Sequence, residues 1–226
     1  MFPIRDDIPT KRFPLITVGL ISLNTLVYLY QASLGESFAQ LVYAMGLIPF
    51  EIIHYVDIPP PGPSPIFLTI FTSMFMHGSL VHLLGNMLFL WIFGNNVEDY
   101  LGRGNFILFY LLCGIVAALT QVLVNPNSTV PMVGASGAIA GVLGGYLVLY
   151  PYAKVTTVFI FGFFIRLVRI PASVVLSFWI LYQFLYGLSY FAARIGEGGV
   201  AWFAHIGGFI CGFILIRIFK LLKQTN

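Results

Sequence analysis

The sequence predicts an all-α, polytopic membrane protein: a bundle of six transmembrane helices with a long first outer loop. Three observations predict it. Of 226 residues, 59% are hydrophobic and 8% charged, whereas a soluble domain carries about 25% charged residues. Six apolar runs approach the roughly 20 residues that a helix needs to cross a bilayer. The basic residues then fall almost entirely on one side of the map that these runs draw. Mean hydropathy, +0.93, agrees.

Residues 1–14 form an N-terminal segment. Lys11 and Arg12 precede the first apolar run as in a signal sequence, but no small-residue cleavage site follows, so a retained anchor is expected. The membrane domain covers residues 15–220, with spans at about 15–31, 80–97, 106–124, 133–150, 171–193 and 201–219. Residues 221–226 are a short tail. Val155 to Phe164 is apolar but short, and reads as an interfacial segment or an early start to the fifth helix. Six spans put both termini on one side. If that side is the cytoplasm, Arg5, Lys11, Arg12, Arg103, Lys154, Arg166, Arg169, Arg217, Lys220 and Lys223 are cytoplasmic. Of the 11 basic residues, only Arg194 is then outside, as the positive-inside rule requires. A plasma or inner membrane is the expected location.

The first outer loop runs from Ala32 to about Met76. Its Pro59-Pro60-Pro61-Gly62-Pro63-Ser64-Pro65 cannot be helical. Apolar pieces around Phe38 to Phe50 and Ile66 to Met76 should lie on or in the outer leaflet. A net charge of +3 gives no reason to expect nucleic acid. Cys113 and Cys211 lie in apolar runs without metal or disulfide spacing and read as core residues. No cofactor and no metal is expected.

No Asp or Glu falls inside a span, so the polar residues there are few. Polar side chains in hydrocarbon are costly and mark function. The strongest are His82 and Asn86 in span two, Ser136 in span four and His205 in span six. Thr120, Gln121, Ser173, Ser177, Gln183, Asn24 and Thr25 are weaker candidates. His54 and His77, in the loop region, read as structural or surface residues. His82 and Asn86, four apart, share a helix face. Spans two, four and six all run inward from the outer side. At 1.5 Å per residue, the four strong candidates lie roughly 3 to 9 Å below the outer boundary.

Small residues can bring them together. Ser136, Ala140 and Gly144 recur at four-residue spacing, with Gly137, Gly141 and Gly145 beside them. Ala204, Gly208 and Gly212 repeat the spacing in span six. Such faces let helix backbones approach closely. If they meet, Ser136 and His205 sit beside the contact, and a serine within reach of an imidazole is a nucleophile with its base. Each residue alone reads as packing, helix glue or pore lining. Four at one depth beside two small-residue seams do not.

His82-Leu83-Leu84-Gly85-Asn86, Gly134-Ala135-Ser136-Gly137 and Ala204-His205 with Gly208 and Gly212 occur in this order and in these spans. In this the chain resembles the six-span rhomboid intramembrane serine proteases of the bacterial or archaeal type. The resemblance implies hydrolysis of a peptide bond in or near a substrate's transmembrane segment, with single-span membrane proteins as partners. It implies Ser136 as nucleophile, His205 as general base, and His82 and Asn86 as oxyanion donors supported by Gly134, Ala135 and backbone N–H groups near Ser136. Gly137, Gly141, Gly208 and Gly212 would serve helix packing, and the site would open to the outer face. Phe75-Met76-His77-Gly78, Glu98 and Gly102 are also family-like. Two departures stand out. Phe67-Leu68-Thr69 replaces a Trp-Arg pair of some members, and Ala140 replaces an aromatic that stacks on the base. With no intramembrane carboxylate the sequence permits a dyad, whose histidine must be oriented by packing or a neutral partner. The first loop or span five is the expected gate. The competing readings are a metalloprotease, a transporter or channel, and a non-catalytic membrane-helix-binding protein.

Overall fold

The structure is a computed structural model and describes residues 2–162, 164–193 and 200–224. The outer position expected for Arg194 lies outside the described residues. After a short strand, β1 (Phe2–Arg5), the first long helix is α1 (Leu15–Ser33). Pro14 gives it no side-chain cap. Glu98, reaching in from the end of the second span, accepts from the backbone N–H groups of Ile16 at 2.9 Å and Thr17 at 2.7 Å. A carboxylate there satisfies unpaired donors and complements the helix dipole. The buried residues of α1 are Thr17, Asn24 and Gln31. They are seven apart and therefore on one stripe, while Leu23, Leu26 and Leu29 are exposed. This helix turns its polar stripe inward and its apolar face outward, as lipid demands.

The long loop folds in the two apolar pieces expected. One holds α2 (Phe38–Met45) and α3 (Pro49–His54), the latter with proline in its first turn, where the missing N–H costs nothing. The other runs from Ile66 to Phe75, with α4 (Thr69–Thr72) between two 3₁₀ turns. Backbone bonds between Leu47 and Met132 at 3.0 and 2.8 Å, and from Phe50 N–H to Ser128 O at 3.0 Å, fasten this loop to the segment before Ser136.

The second span is α5 (Leu80–Phe89), a π-helical stretch Leu90–Gly94, and α6 (Asn95–Leu101) in continuity. It runs past Val97, so Glu98 and Asp99 occupy its last turn. Gly102, at φ +79°, then turns the chain into α7 (Arg103–Val124). Next comes α8 (Ser136–Leu149), of 14 residues. It starts at Ser136 rather than 133 because Gly134 holds φ +126°, outside helical geometry. At about 21 Å long, it is shorter than a bilayer core of about 30 Å. The remaining helices are α9 (Ala172–Ala193) and α10 (Trp202–Gln224). Among the described residues five helices are long and apolar enough to cross a membrane.

At the centre stands α8, in which every residue from Ala138 to Tyr146 is buried. Its glycines are the reason. A Cβ at Gly208 would overlap the Gly137 carbonyl, one at Gly212 the Gly141 carbonyl, and one at Gly141 the Cys113 side chain of α7. The expected seam of Gly137, Gly141, Gly208 and Gly212 is thus where α8 and α10 touch backbone to backbone.

The sequence reading missed a sheet. Between α8 and α9 the chain forms an antiparallel hairpin, β2 (Lys154–Phe161) and β3 (Phe164–Pro171), and β1 adds to β2 in the order β1-β2-β3. Val155 to Phe164 is therefore not an early helix start. Its Val-Thr-Thr-Val-Phe-Ile run is β-branched and aromatic, which favours strand. The helical reading holds for the membrane body, and the sheet adds to it. Asp6, just after β1, accepts from Asn96 Nδ2 at 2.6 Å and from Tyr146 OH at 2.5 Å. Burial raises the Asp6 carboxyl above its ordinary pKa.

Candidate active site

Ser136 is the first residue of α8, and no side chain caps that helix. The first hydrogen bond of the helix runs from Ile139 N–H to Ala135 O. The N–H groups of Ala135, Ser136, Gly137 and Ala138 consequently have no partner within the helix. Ala135 is fully buried. The segment leading in is fixed by Gly134, whose N–H donates to Ser73 O at 2.9 Å. A Cβ at Gly134 would lie 2.7 Å from His82 Cε1 and 3.6 Å from Asn86 Nδ2. With its positive φ as well, this position requires glycine.

The α8–α10 seam brings His205, in the first turns of α10, to Ser136. Ser136 Oγ lies 2.7 Å from His205 Nε2. The other ring nitrogen, Nδ1, lies 2.7 Å from Gln183 Oε1 on α9. Trp179, one turn earlier on α9, packs its ring 5.7 Å from the imidazole at 39°. It also stacks on Phe209 at 6.2 Å. His205 and Gln183 are both buried.

From α5 come His82 and Asn86, on one face as their spacing requires. Ser79 caps that helix by accepting from the His82 N–H at 3.1 Å. Asn86 Nδ2 lies 3.0 Å from His77 Nε2, and the His77 and His82 rings meet edge to face at 5.1 Å. His77 is itself clamped by Gln31 of α1. Gln31 Nε2 donates to the His77 carbonyl at 3.1 Å, and Gln31 Oε1 accepts from the His77 N–H at 3.0 Å. An amide carries two N–H donors, so Asn86 keeps one for another acceptor.

Ser136, His205, His82, Asn86, Gly134 and Gln183 all line one cavity of about 700 Å³. All four strong sequence candidates therefore share a site. His54 is exposed, its Nδ1 2.9 Å from Phe50 O. His77, also read as structural or surface, is fully buried beside Asn86. The reading did not foresee Gln31, Trp179 or the partnership of Gln183 with His205. In the sequence Gln183 is one of the weaker polar candidates, and its signal is a glutamine interrupting an otherwise apolar span. Among the described residues no three His, Cys, Asp or Glu side chains group as a metal site.

The rhomboid domain family matches residues 66–221, more than two thirds of the chain. The chain therefore belongs to the rhomboid family, as a multi-pass membrane protein. It is 32% identical over 153 residues to rhomboid protein 1, mitochondrial, of Saccharomyces cerevisiae, covering 65% of this chain and 40% of that protein. It is 31% identical over 152 residues to the rhomboid protease GluP of Bacillus subtilis, covering 67% of this chain and 26% of that protein. RHOMBOID-like protein 6, mitochondrial, of Arabidopsis thaliana is 29% identical over 163 residues, 69% of this chain and 44% of that protein. The match spans less than half the length of each of these relatives.

Proposed function

We propose that this protein is a serine-type intramembrane endopeptidase that cleaves membrane-protein substrates in or near their transmembrane segments. The observation that carries the reading is the 2.7 Å approach of Ser136 Oγ to His205 Nε2, beside a helix N-terminus with free N–H groups. A relative that bears the word protease in its name, GluP, supports the same chemistry.

The steps follow from the groups present. His205 Nε2 accepts the Ser136 proton as Oγ attacks the scissile carbonyl carbon, because a free hydroxyl is a weak nucleophile without a base. Negative charge moves to the carbonyl oxygen. The unpaired N–H groups of the first turn of α8, the second N–H of Asn86, and His82 surround the place where that oxygen forms. One such donor is worth about 2.7–4 kcal/mol of barrier stabilisation. The imidazolium then returns its proton to the leaving amine, and the peptide bond breaks. Water, deprotonated by the same nitrogen, releases the acyl group from Ser136 and restores the dyad.

The substrates proposed are single-span proteins whose segment unwinds enough to reach the cavity. The protein would sit with both termini in the cytoplasm and its site opening to the opposite face. Two relatives are named mitochondrial, so the corresponding arrangement in an organelle is the alternative location. A panel of single-span substrates, reconstituted with wild type, Ser136→Ala and His205→Ala, tests the activity. Wild type should yield a defined cut site, and both variants should be folded but inactive. Cleavage by Ser136→Ala at the wild-type rate would refute the reading.

A further inference from the structure

Ala140 leaves the His205 ring without an aromatic from its own neighbouring helix, and the span holds no carboxylate to take the place of one. The neighbour that meets the ring is α9. Gln183 Oε1 stands 2.7 Å from His205 Nδ1, and the ring of Trp179, one helical turn away, lies 5.7 Å from the imidazole, tilted at 39°. We propose that Gln183 is the positioning residue of the base. Resting on the dyad reading, this assigns a neutral third member, so that the site works as Ser136, His205 and Gln183.

A neutral imidazole carries its proton on one nitrogen only, and the hydrogen bond at one nitrogen decides the state of the other. An amide oxygen accepts and cannot donate. With Oε1 facing it, Nδ1 must carry the proton and donate. Nε2 is then left with its lone pair toward the Ser136 hydroxyl, the form a general base needs. Gln183 also fixes the ring plane, and when Nε2 takes up the serine proton the same carbonyl dipole stabilises the imidazolium. A glutamine can do this in a dry setting where a carboxylate would be costly to desolvate. Gln183 and Trp179 lie on one face of α9, four residues apart. Any movement of α9 away from α10 removes both from His205, so the base is oriented only while α9 is docked.

Gln183→Leu removes the acceptor at similar size, and Gln183→Glu keeps an acceptor oxygen at the same reach. Cleavage of a single-span substrate in liposomes is measured against pH, alongside thermal unfolding in detergent. In Gln183→Leu, kcat should fall about tenfold to a hundredfold, no more than the low end of the roughly 10²–10⁴ a positioned general base supplies, with KM and the unfolding midpoint close to wild type. Gln183→Glu should retain cleavage. The acid limb of its pH profile should move to higher pH, because a carboxylate favours the protonated ring. Among the described residues, His82 on α5 is the titratable side chain that acts on His205, and it is unchanged in both variants. Wild-type kcat in Gln183→Leu would overturn the proposal. So would losses in both variants that track the unfolding midpoint with an unmoved acid limb, since that is a structural role alone. If Ser136→Ala cleaves in the same assay, the dyad reading itself fails. An inactive Ser136→Ala beside a fully active Gln183→Leu removes only Gln183.

Discussion

Ser136, His205, Gln183 and Asn86 each meet a second polar side chain. Asn86 Nδ2 meets His77 Nε2, and Gln31 clamps the His77 backbone; on the proposed reading this leaves the second Asn86 N–H for the oxyanion. This chain runs from α1 through the loop to α5 without leaving the interior. His77→Ala should leave Asn86 free to turn, lowering kcat about tenfold, less than the roughly 10²–10³ lost with an oxyanion donor. The double variant His77→Ala/Asn86→Ala should be no worse than Asn86→Ala, since both act through one group. Additive losses would contradict this. The approach of Ser136 to His205 was legible in the sequence because both come with glycines and at matching depth. His77 was not, because a loop position suggests exposure whereas this loop folds back over the site. Nor was Gln183, since a single glutamine in an apolar run does not say which way it faces.

Among the elements, the contact of α8 with α10 sets the distance between Ser136 and His205, the proposed nucleophile and base. It has no room for a methyl group at Gly212, which faces the Gly141 backbone. Gly212→Ala should therefore destabilise by about 1–3 kcal/mol, as overpacking does, and lose cleavage by parting Ser136 from His205. Gly19→Ala is the control, because nothing lies within 4 Å of a Cβ there. It should gain roughly 0.5–1 kcal/mol from helix propensity. Unfolding midpoints and turnover of the two variants check the pair, and equal behaviour would contradict the seam. The helix seams were legible because four-residue glycine spacing survives in the sequence. The β2–β3 hairpin was hidden, because a short apolar run of β-branched residues looks alike as strand or helix when the surrounding segments are all membrane helices. The start of α8 was also misplaced, since apolar Val133 reads as span until the φ of Gly134 is known.

Taken whole, the molecule is apolar inside and out, with α8 packed in an apolar core and apolar side chains exposed on the outer helices. Leu, Phe and Tyr side chains of α1 and α9 face outward, while Ser136, His205, His82, Asn86 and Gln183 line one cavity. Composition and charge placement reveal this much, because lipid imposes both. What they leave open is the lateral arrangement of the helices, which depends on the glycine contacts of α8. The central claim is that Ser136 is a nucleophile armed by His205. The most direct test is reaction of the reconstituted protein with a fluorophosphonate, followed by mass spectrometry to locate the adduct. The account predicts a single adduct on Ser136, absent in Ser136→Ala and formed about 10²-fold or more slowly in His205→Ala. An unmodified Ser136 in protein that cleaves its substrate, or labelling at the wild-type rate without His205, would contradict it.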